Sequence, residues 1–417
     1  MTEEILKRII AENQETIFNK KLISRDFSIP KTENITVLTG IRRCGKTHIL
    51  YSIAQEHKKE DILFLDFEDE RLIDLNSLSS YDIIIDSYNS VFPDKKPIIF
   101  FDEIQNLKNW HFYLKRLHVK GYEIYVTGSN ANLISREIAT FLKGRSLETT
   151  IFPFSFKEFI CLKGVTLSKT DKLTKTSLII HLFDEFIQYG SFPEVIKSEV
   201  NDKRAIAKNI YNLLFYKDLV AKYDKNDYLL KLVVNKIAEN ITKEFSITSL
   251  SKKIIPIYKA SVKTITDYFN ILPEPFLTNN LFQYRTSFVI RESKRKTYLA
   301  DNSFIFLNRI TIDKSRLFEN LVFNYLKRKY QDLFYYKTTN NKEVDFYINN
   351  QQEKLLIQVS VSLENIDTKE REVKALIKAM DEQKLDTGFI YTYNETEKIK
   401  IKSKTIYIIP FWKICLE

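Results

Sequence analysis

Ile35-Thr36-Val37-Leu38-Thr39-Gly40-Ile41-Arg42-Arg43-Cys44-Gly45-Lys46-Thr47 decides how the rest of the chain is read. The first five residues are apolar or β-branched and predict a buried strand. The next eight satisfy G-x-x-x-x-G-K-[ST], and a helix is expected from about Lys46, with His48 in its first turn. Between a strand and a helix this spacing has a physical purpose. Its glycines let backbone N–H groups curl around phosphate oxygens, and the helix presents its positive end to them. Gly40, Ile41, Arg42, Arg43, Cys44 and Gly45 form the cradle. Lys46 is placed to neutralise the β- and γ-phosphates of ATP, and Thr47 to coordinate Mg²⁺ through its hydroxyl.

Outward from this loop, apolar runs alternate with helical stretches. Ile62–Asp66, Ile98–Asp102, Tyr122–Thr127 and Leu147–Phe152 read as further strands, so a parallel sheet covered on both faces is expected up to about residue 152. The third strand ends in Asp102-Glu103. Asp102 is expected to complete the Mg²⁺ shell and Glu103 to act as general base on the attacking water. The fourth ends in Thr127-Gly128-Ser129-Asn130, where Ser129 and Asn130 both qualify to contact the γ-phosphate or the lytic water. Arg145, before the fifth strand, is a candidate to reach the ATP of a neighbouring subunit.

Beyond the sheet, residues 153–230 read as helical, with segments at Phe156–Leu162, Ser177–Gln188 and Lys203–Lys222. Residues 231–300 give three short helical patterns and then a hairpin over Phe276–Leu299, the order of a winged helix. Residues 301–417 mix a helix at Leu317–Tyr330 with strands at Phe334–Thr338, Glu343–Ile348, Lys354–Val361, Thr387–Tyr391 and Thr405–Ile409, and a charged helix at Thr368–Met380.

Composition narrows the classes. Of 417 residues, 44% are hydrophobic and 28% charged, which excludes a disordered chain. No apolar run approaches the roughly 18 residues of a membrane span, and the N-terminus lacks the apolar centre of a secretory signal. Three scattered cysteines argue against a disulfide framework, and a cytoplasmic location is expected. The net charge of +10 fits a polyanionic partner, and equally a general lysine bias.

The ordered set Gly-Ile-Arg-Arg-Cys-Gly-Lys-Thr, Phe-Phe-Asp-Glu-Ile-Gln, Val-Thr-Gly-Ser-Asn-Ala and Leu-Lys-Gly-Arg is extended by Pro153–Phe159 and Tyr189-Gly190-Ser191-Phe192-Pro193. The whole set resembles the prokaryotic AAA+-type ATPases with a DUF4143 C-terminal region. The resemblance implies an α/β protein with a P-loop AAA+ core, a helical lid, a winged helix and a C-terminal domain like the PD-(D/E)xK nucleases. Such nucleases carry a carboxylate on one strand and an acid-x-lysine triplet on the next. Glu343-Val344-Asp345 matches the first strand with Asp345 as metal ligand, and Glu319 matches an additional acidic position. On the next strand Gln358 stands where the acid belongs and Ser360 replaces the lysine, leaving Lys354 or Lys374 as displaced cations. A degenerate centre without DNA cleavage is expected.

The hairpin carries Arg285, Arg291, Lys294, Arg295 and Lys296, interleaved with Tyr284, Phe288 and Tyr298, and is expected to lie along DNA phosphates. Lys259 and Lys263 flank the helix beside it. The principal expectation is an oligomeric ATPase, in a ring, that binds or remodels DNA, branched DNA included. A nucleotide-driven switch with a protein partner is the alternative, and an Mg²⁺-dependent nuclease a weaker one.

Overall fold

The computed structural model describes residues 2–30, 32–75, 80–129, 142, 144–285, 287, 294–307 and 313–417. Two compact units divide the chain: Met1–Pro153 with Glu274–Phe276, and Phe154–Pro273 with Leu277–Glu417.

In the first unit, β1 (Ile35–Thr39), β2 (Ile62–Asp66), β3 (Ile98–Asp102), β4 (Ile124–Gly128) and β5 (Ser146–Thr150) form one sheet in the order β2-β3-β4-β1-β5. All pairings are parallel. The near-continuous apolar runs of β1 to β3 follow from burial on both faces. Register brings Thr39 beside Gly128, and Asp66 beside Asp102, so the strand ends line one edge. Open parallel sheets build their ligand sites at that edge.

Helix α1 (Glu3–Asn19) buries Leu6, Ile9, Ile10 and Ile17. Ile5 of the same helix is exposed. Helices α3 (Asp82–Val91) and α4 (Trp110–Val119) cover the sheet through an apolar core that includes Tyr81, Tyr88, Phe101 and Tyr113, while α2 (Lys46–Ala54) buries Ile49, Leu50 and Ile53.

The second unit begins with α5 (Phe156–Leu162), started by a reciprocal cap between Ser155 and Glu158. Phe156 and Phe159 pack on Phe183 and Phe186 of α6 (Thr176–Tyr189), and α7 (Lys203–Leu213) follows. Gly190, at φ 83°, ends α6, and a Cβ there would come within 1.8 Å of the Asp301 carboxylate. That carboxylate is buried and receives the N–H and O–H groups of Ser191 and Ser303, so the Gly-Ser pair is a structural joint. Helices α8 (Asp227–Glu239), α9 (Ile247–Ile254) and α10 (Val262–Asn270) precede the antiparallel pair β6 (Thr278–Phe282) and β7 (Arg295–Leu299).

Helix α11 (Lys314–Lys329) leads into a six-stranded sheet of β8 (Leu333–Lys337), β9 (Glu343–Asn349), β10 (Lys354–Ser360), β11 (Thr387–Thr392), β12 (Glu397–Ile401) and β13 (Lys404–Pro410). Its order is β12-β13-β11-β10-β9-β8, with β10, β11 and β13 parallel and the other neighbours antiparallel. Helix α12 (Ile366–Gln383) crosses from β10 to β11. Strand β12 escaped sequence reading because it is an exposed edge, Glu-Lys-Ile-Lys-Ile, with charge where a buried strand has apolar residues.

Candidate active site

The loop after β1 fixes the site. Gly40 has φ 149°, and a Cβ on it would sit 2.1 Å from the carbonyl oxygen of Ile151, so only glycine lets the chain leave the sheet there. Gly45, at φ 101°, precedes α2 and sets the helix N-terminus against the loop. Cys44 is buried, its thiol directed at the Ile151 carbonyl, and burial raises its pKa, so it is a packing residue and no reactive thiolate. Arg43 and His48 are exposed on the outer side of the loop, while Ile41 is buried.

Lys46 is 4% exposed and donates to the carbonyls of Gly40 at 3.1 Å and Ile41 at 3.4 Å. Its ammonium lies 3.7 Å from the Glu103 carboxylate. Thr47 Oγ1 donates to Asp102 Oδ2 at 2.6 Å. A hydroxyl paired with a carboxylate is the hard-oxygen set that Mg²⁺ prefers, so these two residues fit the ion implied by the loop. Burial pushes the Asp102 carboxyl up to about 6, against its bonds from Thr127 and Thr47. Glu103 follows in a left-handed conformation, φ 48°, which turns its side chain back over the loop. Burial alone would raise its pKa, but Lys46, Gln105 and Arg42 together hold it below the ordinary carboxylate value. Two adjacent acids thus acquire different proton affinities from different surroundings.

Ser129 Oγ is buried, 3.4 Å from Arg42 Nη2 and 3.5 Å from Gln105 Nε2. Asn130 lies outside the described residues. The Arg42 guanidinium, which the motif marks only as a loop position, is buried and pairs with Glu68 at 2.9 Å. Arg145 is not brought to the loop. Its carbonyl accepts from Ile35 N at the opposite end of β1, roughly 16 Å along the strand from Gly40.

Three residues of the site were missed in the sequence. Thr127 donates to Asp102 Oδ1 and accepts from Glu103 N at 2.9 Å, so one hydroxyl holds both acids. Gln105 donates to Glu103 Oε2 and orients it. Arg25 donates to the carbonyls of Cys44 at 3.0 Å and Phe152 at 2.8 Å, clamping the loop from a segment without motif character. Thr127 and Gln105 stand in the quoted motifs and signal themselves by position; Arg25 leaves no local signal.

In the second unit the structure joins Glu319, Glu343 and Asp345. Gln358 accepts from Asp345 N at 3.2 Å, which confirms the two strands as neighbours. Ser360 turns away and donates to Ser362 O at 2.8 Å. Neither candidate for a displaced cation enters the centre: Lys354 is exposed, and Lys374 pairs with Glu370 on the surface.

The hairpin expectation is corrected in part. Lys296 is 1% exposed and lies among those three carboxylates, so it cannot run along a phosphate backbone. Its side chain shares one face of β7 with Tyr298, and both reach Glu319. Arg295 is half-buried over the rings of Phe269 and Phe282. Lys294 is exposed and paired with Glu244, and Arg285 is exposed. Arg291 and Phe288 lie outside the described residues.

Comparison with known proteins agrees with the loop geometry. Residues 32–160 match the model of an AAA domain, 180–310 a domain of unknown function (DUF8612) and 314–414 a domain of unknown function (DUF4143). An uncharacterised protein of Methanocaldococcus jannaschii is 36% identical over 98% of this chain and 94% of its own length. An uncharacterised protein of Haemophilus influenzae is 29% identical over 94% of this chain and 99% of its own. Among solved structures, the Walker-type ATPase paby2304 of Pyrococcus abyssi is 15% identical with a TM-score of 0.45, covering 70% of this chain and all of that one. AMPPCP-bound DnaA of Aquifex aeolicus is 13% identical with a TM-score of 0.26, over 63% of this chain and 85% of its own. The chain belongs to the prokaryotic family that joins an AAA-type ATPase domain to a C-terminal DUF4143 region. Among the described residues no helix is long and apolar enough to cross a membrane.

Proposed function

We propose that the protein hydrolyses ATP at the β1–α2 loop and couples that cycle to DNA. The observation that carries the first half is the convergence of Lys46, Thr47, Asp102 and Glu103 at one sheet edge. Lys46 neutralises phosphate charge, and Thr47 and Asp102 hold Mg²⁺. Mg²⁺, when bound with the nucleotide, supplies further neutralisation of the phosphates. Glu103 is the general base: its depressed pKa keeps it ionised at neutral pH, and Gln105 fixes the oxygen that faces away from Lys46. Ser129 and Arg42, bonded to each other beside Gln105, contact the γ-phosphate or the attacking water. Arg145, remote from its own loop, acts on a neighbouring subunit's nucleotide in a homo-oligomeric ring.

The DNA half is supported by the order of three helices and an antiparallel hairpin, and by a net charge of +10. Helix α10 exposes Lys263 and Asn270, and Lys252, Lys253 and Lys259 are exposed on the adjoining segment. With Lys296 withdrawn, these lysines together with Arg285 and Lys294 form the phosphate-contacting surface. Neutralising Lys252, Lys253, Lys259 and Lys263 together should weaken DNA binding alike across sequences and flatten its salt dependence by about one unit of slope per lost contact. Unchanged affinity and slope would contradict this surface. One observation favours the protein-binding switch: Ile255, Ile257 and Val262 are exposed among the same lysines. Phosphate release measured with and without DNA separates the two readings.

A further inference from the structure

The C-terminal centre contains a cation that its own sheet does not supply. Lys296 Nζ stands 2.8 Å from Glu343 Oε1, 3.2 Å from Glu319 Oε1 and 3.2 Å from Asp345 Oδ1. An ammonium has three N–H donors, and here three carboxylate oxygens receive them. Neighbouring polar atoms are engaged as well. Asp345 Oδ2 accepts from Val359 N at 3.0 Å, Gln358 donates its amide to Glu372, and Tyr298 donates to Glu319 Oε1 at 2.8 Å.

This arrangement does not fit the Mg²⁺ that a nuclease-like centre implies. A divalent ion needs converging oxygens at about 2.0–2.6 Å, and the point on which Glu319, Glu343 and Asp345 converge is filled by the ammonium. Among the described residues no group of three His, Cys, Asp or Glu side chains could hold a metal ion. Gln358 adds no charge, and its carbonyl is engaged by Asp345 N.

We propose that Lys296 is a built-in cation that stands in place of the metal, neutralises the acidic centre and fastens the β6–β7 hairpin to the C-terminal sheet. A buried ammonium is costly unless its partners compensate it, and buried carboxylates deprived of their cation are equally so. The hairpin and the centre therefore hold each other in place. Lys337 extends the joint, pairing with Glu244 at 2.6 Å and lying 3.9 Å from Glu343. The inference does not depend on the DNA reading. It makes the C-terminal domain metal-independent, with no Mg²⁺-dependent cleavage.

The test uses the full chain without nucleotide, counting bound Mn²⁺ by electron paramagnetic resonance and following unfolding by calorimetry. Wild type and Asp345→Asn should bind the same number of Mn²⁺ ions. Lys296→Met, similar in length but uncharged, should lower the unfolding transition of the second unit by about 5–10 °C in EDTA. Millimolar Mn²⁺ should raise that transition again, and the rescue should vanish when Asp345→Asn is added. Loss of one bound Mn²⁺ from wild type on Asp345→Asn would overturn the proposal. So would a Lys296→Met protein that melts like wild type, or one that Mn²⁺ fails to rescue. Should Lys296→Met not fold, the Mn²⁺ count of wild type against Asp345→Asn decides alone.

Discussion

Thr127 shows how much of the site rests on one hydroxyl. It bonds Asp102 and receives the N–H of Glu103, so Thr127→Val removes a donor from one buried acid and an acceptor from the next. Stability should fall by about 1–3 kcal/mol, and turnover should fall with nucleotide binding largely kept. Unchanged denaturant unfolding and phosphate release would remove Thr127 from this role. The acids themselves divide the work. Lys46→Ala should abolish tight ATP binding, whereas Glu103→Gln should bind ATP and release almost no phosphate. Normal turnover in Glu103→Gln would reject the general base. The phosphate loop is legible in the sequence because its parts lie within eight consecutive residues. Gln105 and Thr127 stand in the same motifs as the recognised residues, and their hydrogen bonds show what they hold.

At the scale of elements, the least legible contacts are those that join distant segments. Arg25 lies 19 residues from Cys44 and 127 from Phe152, yet it bonds both carbonyls and ties the phosphate loop to the chain after β5. Arg25→Ala should weaken nucleotide binding by about tenfold or more through loss of loop order, a value read by titration. An affinity equal to wild type would show that the loop holds its shape unaided. The hairpin illustrates the same limit. Five basic residues in a short stretch are expected to lie along DNA phosphates, but the alternation of β7 turns Lys296 inward, toward an acid 49 residues away. Asp345 gives this joint a pH signature. Burial, with Glu319 and Glu343 beside it, pushes its pKa up to about 7 in spite of Lys296. Its folded form then binds a proton more tightly than its unfolded form. The resulting stability is greatest at low pH and is lost as pH rises through about 7. Asp345→Asn should flatten that part of the profile, seen by denaturant unfolding at stepped pH. An identical slope in both proteins would mean that Asp345 titrates normally.

At the scale of the whole molecule, the proposed coupling requires ATP hydrolysis in the first unit and DNA binding by the second. Because Arg145 stands away from its own loop, hydrolysis should rise with protein concentration as subunits assemble. Mixing Arg145→Ala subunits with Lys46→Ala subunits should restore part of the activity, since some interfaces then pair an intact loop with an intact arginine. Full activity from a protein that sedimentation shows to be monomeric would contradict this. The central claim, hydrolysis coupled to DNA, is tested most directly by steady-state phosphate release from the full chain alone and with single-stranded, duplex or junction DNA, using Lys46→Ala as the blank. The account predicts Lys46-dependent hydrolysis that at least one DNA form stimulates, with the stimulation fading as salt rises. Lys46-dependent hydrolysis that no DNA form changes at any salt concentration would contradict it.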